Sequence, residues 1–229
     1  MKLSVFLLAF LFSCSHGNIK SLATLYSTAW FQKAGEAKAL QYQAFNLAKQ
    51  KIASQLKTKS KLPRAVVFDI DETVLDNSPY QAKAIDEKFE YPHLWKEWIA
   101  SGNCLAIPGA KEFLQFLDQH KITIFYISNR KLNQMESTFE NLKRVGFPVL
   151  KENILLREKT LNKSERRSVV LAHYNVLLYM GDNLTDFPGF DDVTSWDDRN
   201  ERVVKNQSLF GDKFIVLPNP VYGDWMSVL

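Results

Sequence analysis

Residues 65–80 read AVVFDIDETVLDNSPY, an apolar run of Val66, Val67, Phe68 and Ile70 that carries two carboxylates, Asp69 and Asp71, one residue apart. The apolar positions show no polar alternation, the pattern of a strand buried on both faces. Carboxylates at the end of such a strand lose hydration and repel one another. They therefore need a cation, a proton or a catalytic task. Two further apolar runs end in the same way: KITIFYIS closes on Ser128, and NVLLYMGD closes on Asp182. Taken singly, a strand-end aspartate is ordinarily a helix cap or turn residue, and Ser128-Asn129-Arg130 reads equally as a cap. Three strand ends that coincide along one sheet edge would instead build a pocket where open α/β sheets bind ligands.

The elements that must position these groups follow from periodicity. Leu22, Leu25, Ala29, Ala37, Leu40, Ala44, Leu47 and Ala48 recur at helical spacing between Ser21 and Leu56, which predicts two helices broken near Gly35. KTKSKLP, residues 57–63, reads as a linker. After the first strand, residues 77–107 hold Tyr80, Phe89, Tyr91, Trp95 and Trp98 with no clear strand, a helical insert. Pro108 is expected in the first turn of a helix running to His120, and 131–145 and 164–173 are expected to be helical. ENILLRE and KFIVLPNP supply a third and a fifth strand, the latter stopped by its prolines. Strands alternating with helices predict an α/β fold with a doubly wound, mostly parallel sheet. No internal repeat or low-complexity segment interrupts it.

The chain has 229 residues, 46% of them apolar, enough for one well-filled domain with a modest extension, and a net charge of +4 dispersed along its length. No basic run interleaves with aromatics, so a nucleic-acid polymer is not an expected partner. The N-terminus carries one early lysine and then an apolar run from Leu3 to Phe12. That run is too short to span a bilayer and fits the hydrophobic region of an export signal over 1–17. Leu11-Phe12-Ser13-Cys14 also matches a bacterial lipoprotein processing site, which would make Cys14 a lipid anchor, although phenylalanine is unusual in its second place from the left. Cleavage after Ser15 or Gly17 is the competing reading, and both export the protein to a periplasm, a membrane surface or the medium. Cys104 then remains without an internal disulfide partner. The four histidines, His16, His93, His120 and His173, are scattered and form no zinc pattern.

DIDET resembles the DxDxT signature of the haloacid-dehalogenase-like (HAD-like) phosphohydrolases, Ser128 their second motif, and GDNLTD, Gly181 to Asp186, their fourth. The likeness narrows with WFQKAGEAKALQYQAFNLA, LDNSPY, the spaced Trp95 and Trp98, PGA, ISNR, GDNLTDF and IVLPNPVYGDW. These segments are similar to the class C bacterial acid phosphatases, exported lipoproteins of the four-aspartate branch, over nearly all of the chain beyond the signal. The resemblance implies one HAD-like domain over 18–229, with a helical extension at 18–64 and a cap insert at 77–107. It also implies a phosphate-binding lysine in the third motif, where KTLNKSERR offers Lys159 and Lys163; the spacing suits Lys163 better.

On that footing Asp69 is the expected nucleophile, forming an aspartyl-phosphate, and Asp71 the expected acid and base. Ser128 and Lys163 would neutralise the phosphoryl oxygens. A hard cation with oxygen ligands, Mg²⁺, would take the Asp69 side chain, the Asp71 backbone carbonyl and Asp182. Asp186 would orient the loop or a metal-bound water, and Asn129 of ISNR would contact substrate. The resemblance points to Trp95 and Tyr222 as rings that box a nucleobase, with 5′-nucleotides and aryl phosphates as substrates. The competing reading makes these aromatics core of the insert and the substrate a sugar phosphate. A surface lipoprotein that binds phosphorylated ligands without turnover is the alternative from another class. Association as a homodimer stays open.

Overall fold

A computed structural model of the protein describes residues 15–193 and 195–228. Cys14 and most of the leader read over 1–17 lie outside this range. Helices α1 (Ser15–Lys33) and α2 (Gly35–Gln55) are separated at Ala34, whose extended backbone breaks the helical path. Strand β1 (Arg64–Phe68) follows, then β2 (Leu75–Asp76), α3 (Ser78–Glu87), α4 (Trp95–Ser101), β3 (Leu105–Ala106) and α5 (Ala110–Gln119). The second half runs β4 (Thr123–Lys131), α6 (Met135–Arg144), β5 (Ile154–Arg157), α7 (Ser164–Leu171), β6 (Asn175–Gly181), α8 (Trp196–Lys205) and β7 (Phe214–Val216).

Five strands pair in parallel in the order β5-β4-β1-β6-β7. The chain moves outward from β1 through β4 to β5, then returns to the far side of β1 for β6 and β7. The order therefore reverses at β1, whose carboxyl end is the switch point where such sheets take ligands. Side chains alternate between two cores. Val66, Phe68, Ile124, Tyr126, Met180 and Ile215 pack on one face beneath α2 and α5, while Val67, Phe125, Ile127, Val176, Tyr179 and Phe214 pack on the other near α7. Both faces being apolar accounts for the absence of polar alternation in the sequence. A register shift between Ala65 and Val66 against β6 lets both Leu177 and Leu178 enter the first core.

The structure departs from the sequence reading in four places. The insert contains a strand after all, β3, paired antiparallel with β2 at Leu75↔Ala106. Strand β4 continues past Ser128 to Lys131, because β5 offers it a partner as far as Arg157. Helix α5 begins at Ala110 rather than at Pro108; Gly109 precedes it with φ +88°, a left-handed conformation that glycine adopts without strain. Helix α8, in the stretch between the fourth and fifth strands, was not anticipated. Its only apolar positions are Trp196, Val203 and Val204, too few to mark a helical face.

Candidate active site

Asp69 leaves β1 with its amide donating to the Met180 carbonyl at 2.9 Å, which locks the end of β1 to β6. Its carboxylate lies on the α7 side of the sheet, as the alternation from Val67 requires. There it pairs with the Lys163 ammonium, which also donates to Asp186 Oδ1 at 2.7 Å. Lys163 stands immediately before α7, and the spacing in KSERR puts Arg166 and Arg167 on the same side of the chain. Arg166 donates to the Ser128 carbonyl at 2.6 Å and to Asn129 Oδ1 at 2.8 Å. Arg167 donates to the carbonyls of Thr185 and Asp186 and pairs with Asp191. One short helix thus ties the second and fourth motifs to Asp69. Lys159 lines a groove with Lys131, Asn133, Arg157 and Glu158, whereas Lys163 is the lysine that pairs with Asp69 and Asp186.

The loop after β6 turns back on itself. Asn183 N–H donates to Asp186 Oδ2 at 2.9 Å, and Asp186 N–H returns a bond to the Asn183 carbonyl at 3.0 Å. Gly181 makes this turn feasible, since a Cβ there would stand 2.6 Å from the carboxyl carbon of Asp186. Asp182 accepts from Thr73 Oγ1 at 3.2 Å and from Asn219 Nδ2 at 2.8 Å. Carboxylate oxygens of Asp69, Asp182 and Asp186 all lie within 4.8 Å of one another. At that separation each pair repels by about 3 kcal/mol for an effective dielectric near 20.

The electrostatics follow the burial. Desolvation pushes the Asp69 carboxyl up to about 7, opposed by Lys163 and reinforced by Asp186 and Asp71. Burial, with Asp186 and Asp69 adding to it, raises Asp182 well above the ordinary aspartate range. Burial also works against the Lys163 ammonium, but the two carboxylates outweigh it and keep that lysine charged above its usual range. Three carboxylates against one ammonium leave two negative charges uncompensated, a donor set of hard oxygens that fits one divalent cation. Asp186, expected to orient the loop or a metal-bound water, closes the Asn183 turn and has its carboxylate beside those of Asp69 and Asp182.

Asp71 has different company. It accepts from Arg130 Nη2 at 2.7 Å, from Arg130 Nε at 3.0 and 3.2 Å, from Asn77 Nδ2 at 2.8 Å and from Ser128 Oγ at 3.4 Å. The group expected to act as acid and base is thus held by four side-chain donor atoms. Sequence reasoning missed Arg130 and Asn77, both almost wholly buried. Arg130 was detectable in principle: Ser128 and Arg130 are two apart on an extended strand and share a face. Glu72 is buried beside them with φ +58°, accepts from the Asn77 amide, and is raised well above the usual glutamate range by burial and then by Asp71.

The aromatic residues divide. Trp98 is tied down by its indole N–H on Asn77 Oδ1 at 2.8 Å. Trp95 is half-buried and meets Tyr80 and Tyr91 edge-on, with centroids 5.0 and 5.6 Å apart. Phe89 contacts Tyr80 and His93. Tyr222 is half-buried and packs against the first core.

A doubly wound sheet with this carboxylate cluster at its switch point is the architecture of the HAD superfamily. The chain belongs to the family described as HAD superfamily, subfamily IIIB (acid phosphatase), whose family model matches residues 13–225. Its backbone is similar to that of the class C acid phosphatase from Bacillus anthracis, with a TM-score of 0.87 and 43% identity over 90% of this chain and 87% of that one. It is also 31% identical to the stem 31 kDa glycoprotein of Glycine max over 166 residues, 68% of this chain and 58% of that protein. Acid phosphatase 1 of Solanum lycopersicum is 25% identical over 134 residues, 54% of this chain and 51% of that protein. The chain spans little more than half the length of these plant relatives.

Proposed function

We propose that the protein is an exported, Mg²⁺-dependent acid phosphatase that hydrolyses phosphomonoesters, nucleoside 5′-monophosphates and aryl phosphates foremost, through an aspartyl-phosphate on Asp69. The observation that carries this reading is a buried Asp69 carboxylate facing Lys163 and two more aspartates, with Asp71 two residues on. Asp69 attacks phosphorus; Lys163, Ser128 and the Asn129 region receive the phosphoryl oxygens; Asp71 protonates the departing alcohol and then takes a proton from water. Asp69, the Asp71 backbone carbonyl and Asp182, with the Asp186 carboxylate beside them, would hold the divalent ion, which would supply charge to offset that of the phosphoryl group. The apolar leader with Cys14 supports export and a lipid anchor.

The test is a phosphate-release screen over phosphomonoesters, with and without chelator, run on wild type and on Trp95→Ala and Tyr222→Ala. Stacking a base contributes about 1–3 kcal/mol, so kcat/KM for a nucleotide relative to glycerol phosphate should fall roughly tenfold in each variant. Absence of metal-dependent turnover on every phosphomonoester would reject the enzyme reading. An unchanged ratio in both variants would keep the phosphatase and reject the nucleotide preference, leaving the edge-on packing of Trp95 as purely structural.

A further inference from the structure

We infer that Arg130 and Asn77 are positioning residues that hold the Asp71 carboxylate in one orientation, with Oδ1 engaged by three donors and Oδ2 left as the oxygen for the proton transfer. This rests on the role of Asp71 proposed above. Oδ1 accepts from Arg130 Nη2 at 2.7 Å, Arg130 Nε at 3.0 Å and Asn77 Nδ2 at 2.8 Å. Those three donors exhaust the lone-pair positions of a carboxylate oxygen. Oδ2 has only the longer contacts, Arg130 Nε at 3.2 Å and Ser128 Oγ at 3.4 Å. The Ser128 oxygen already accepts the Arg130 amide at 3.1 Å, so its hydroxyl hydrogen is the part that reaches Asp71. Turning that hydroxyl onto a phosphoryl oxygen leaves Oδ2 with the 3.2 Å contact from Arg130 Nε and a free lone pair.

The clamp is itself held from two elements. The Arg130 guanidinium is buried, with Nη1 on Thr138 Oγ1 of α6 at 3.3 Å and Nη2 near Cys104 Sγ at 3.7 Å. The Asn77 carbonyl oxygen accepts Trp98 Nε1 at 2.8 Å and Cys104 Sγ at 3.1 Å, so its amide cannot flip without losing both and turning an acceptor onto Asp71. The insert that begins at Asn77 therefore helps aim the proton carrier. In the first step a lone pair of the Asp69 carboxylate forms the O–P bond. The ester O–P electron pair leaves on the alcohol oxygen, which takes the proton from Asp71 Oδ2. In the second step a water oxygen bonds to phosphorus and its proton passes to the same Oδ2. The O–P pair then returns to Asp69, and phosphate departs.

Leaving-group dependence tests this, because a nitrophenolate departs with little protonation and an alkoxide does not. Metal-loaded wild type, Arg130→Lys, Thr138→Val and Asp71→Asn are compared on an alkyl phosphate and on nitrophenyl phosphate. Inorganic phosphate inhibition reports on binding. Asp71→Asn should lose about 10²–10⁴-fold in kcat on the alkyl ester and far less on the aryl ester. Arg130→Lys should lose roughly tenfold to hundredfold on the alkyl ester and under about threefold on the aryl ester, with phosphate inhibition unchanged. Thr138→Val, which removes only a bond to the guanidinium, should move the ratio the same way by a few-fold. Equal losses on both esters in Asp71→Asn would reject the acid role itself. A selective loss in Asp71→Asn, with an unchanged ratio in both Arg130→Lys and Thr138→Val, would overturn the positioning role. Should Arg130→Lys fail to fold, Thr138→Val alone decides.

Discussion

Asp69 and Asp71 are two residues apart, yet they belong to different chemical regions. Asp69 joins Asp182 and Asp186 around one ammonium, a set short of positive charge. Asp71 is matched by a forked guanidinium, an amide and a hydroxyl, which together balance its charge. Strict strand alternation would point both to the same face. The difference arises in the turn after β1, where Val74 and Leu75 N–H both return to the Ile70 carbonyl and Glu72 adopts φ +58°. That turn swings Asp71 toward the face that Ser128 and Arg130 share with Tyr126. A region short of charge is ready to bind a cation; a satisfied one is ready to hold a group still.

Replacing Asp69 with Asn should give the largest effect. Turnover should fall to background, at least about 10⁴-fold, as when any nucleophile of a concerted unit is lost. Removal of one of three clustered charges should leave the metal-free Tm unchanged or higher, read by thermal melts in chelator. Retention of a tenth of the wild-type rate would erase the distinction between the two aspartates.

Lys163→Met should come next, costing about 10²–10³-fold in kcat/KM, the scale for loss of one preorganised electrostatic group. In chelator the variant should also lose about 3–5 kcal/mol of stability, because its buried carboxylates keep no cation. Lys159→Met, in the groove outside the cluster, should stay within about twofold in kcat/KM. Equal effects of the two lysines would mean that the cluster does not depend on its ammonium.

The smallest effect is a pH dependence of stability. Folding moves the Asp69 carboxyl from 3.8 up to about 7, chiefly by burial, and burial raises Asp182 and Glu72 in the same direction. Carboxyls raised in this way bind protons more tightly in the folded chain. Their contribution is present in full below the unfolded value and is lost as pH climbs through about 7. The metal-free Tm should therefore decline by a few degrees between pH 5 and pH 7.5. Mg²⁺ should restore it more at pH 7.5 than at pH 5, where protons compete for the same oxygens. A metal-free Tm that rises over this interval, or an equal Mg²⁺ shift at both pH values, would show that the cluster is not what limits stability.

Much of this arrangement was legible in the residues. Unbroken apolar runs such as Val66–Phe68 and Ile124–Ile127 announce buried strands, since only a strand covered on both faces loses its polar alternation. Their terminal polar residues mark the sheet edge where a site forms, and the motif spacings that resemble class C phosphatases name its aspartates. These are local properties, and local pattern is enough for them. The order β5-β4-β1-β6-β7, which brings Ser128 and Asp182 to either side of Asp69, depends on contacts between residues more than fifty positions apart. Spacing already favoured Lys163 over Lys159, but its contact with Asp69 and Asp186 depends on where α7 docks. The approach of Asp186 depends on a turn over Gly181, and the Arg130 fork on Asp71 depends on β4 running past Ser128 and β1 turning at Glu72. Sequence determined which groups could do chemistry. Only packing decided which carboxylate faces a shortage of charge and which is held in place, because burial and through-space distance set both.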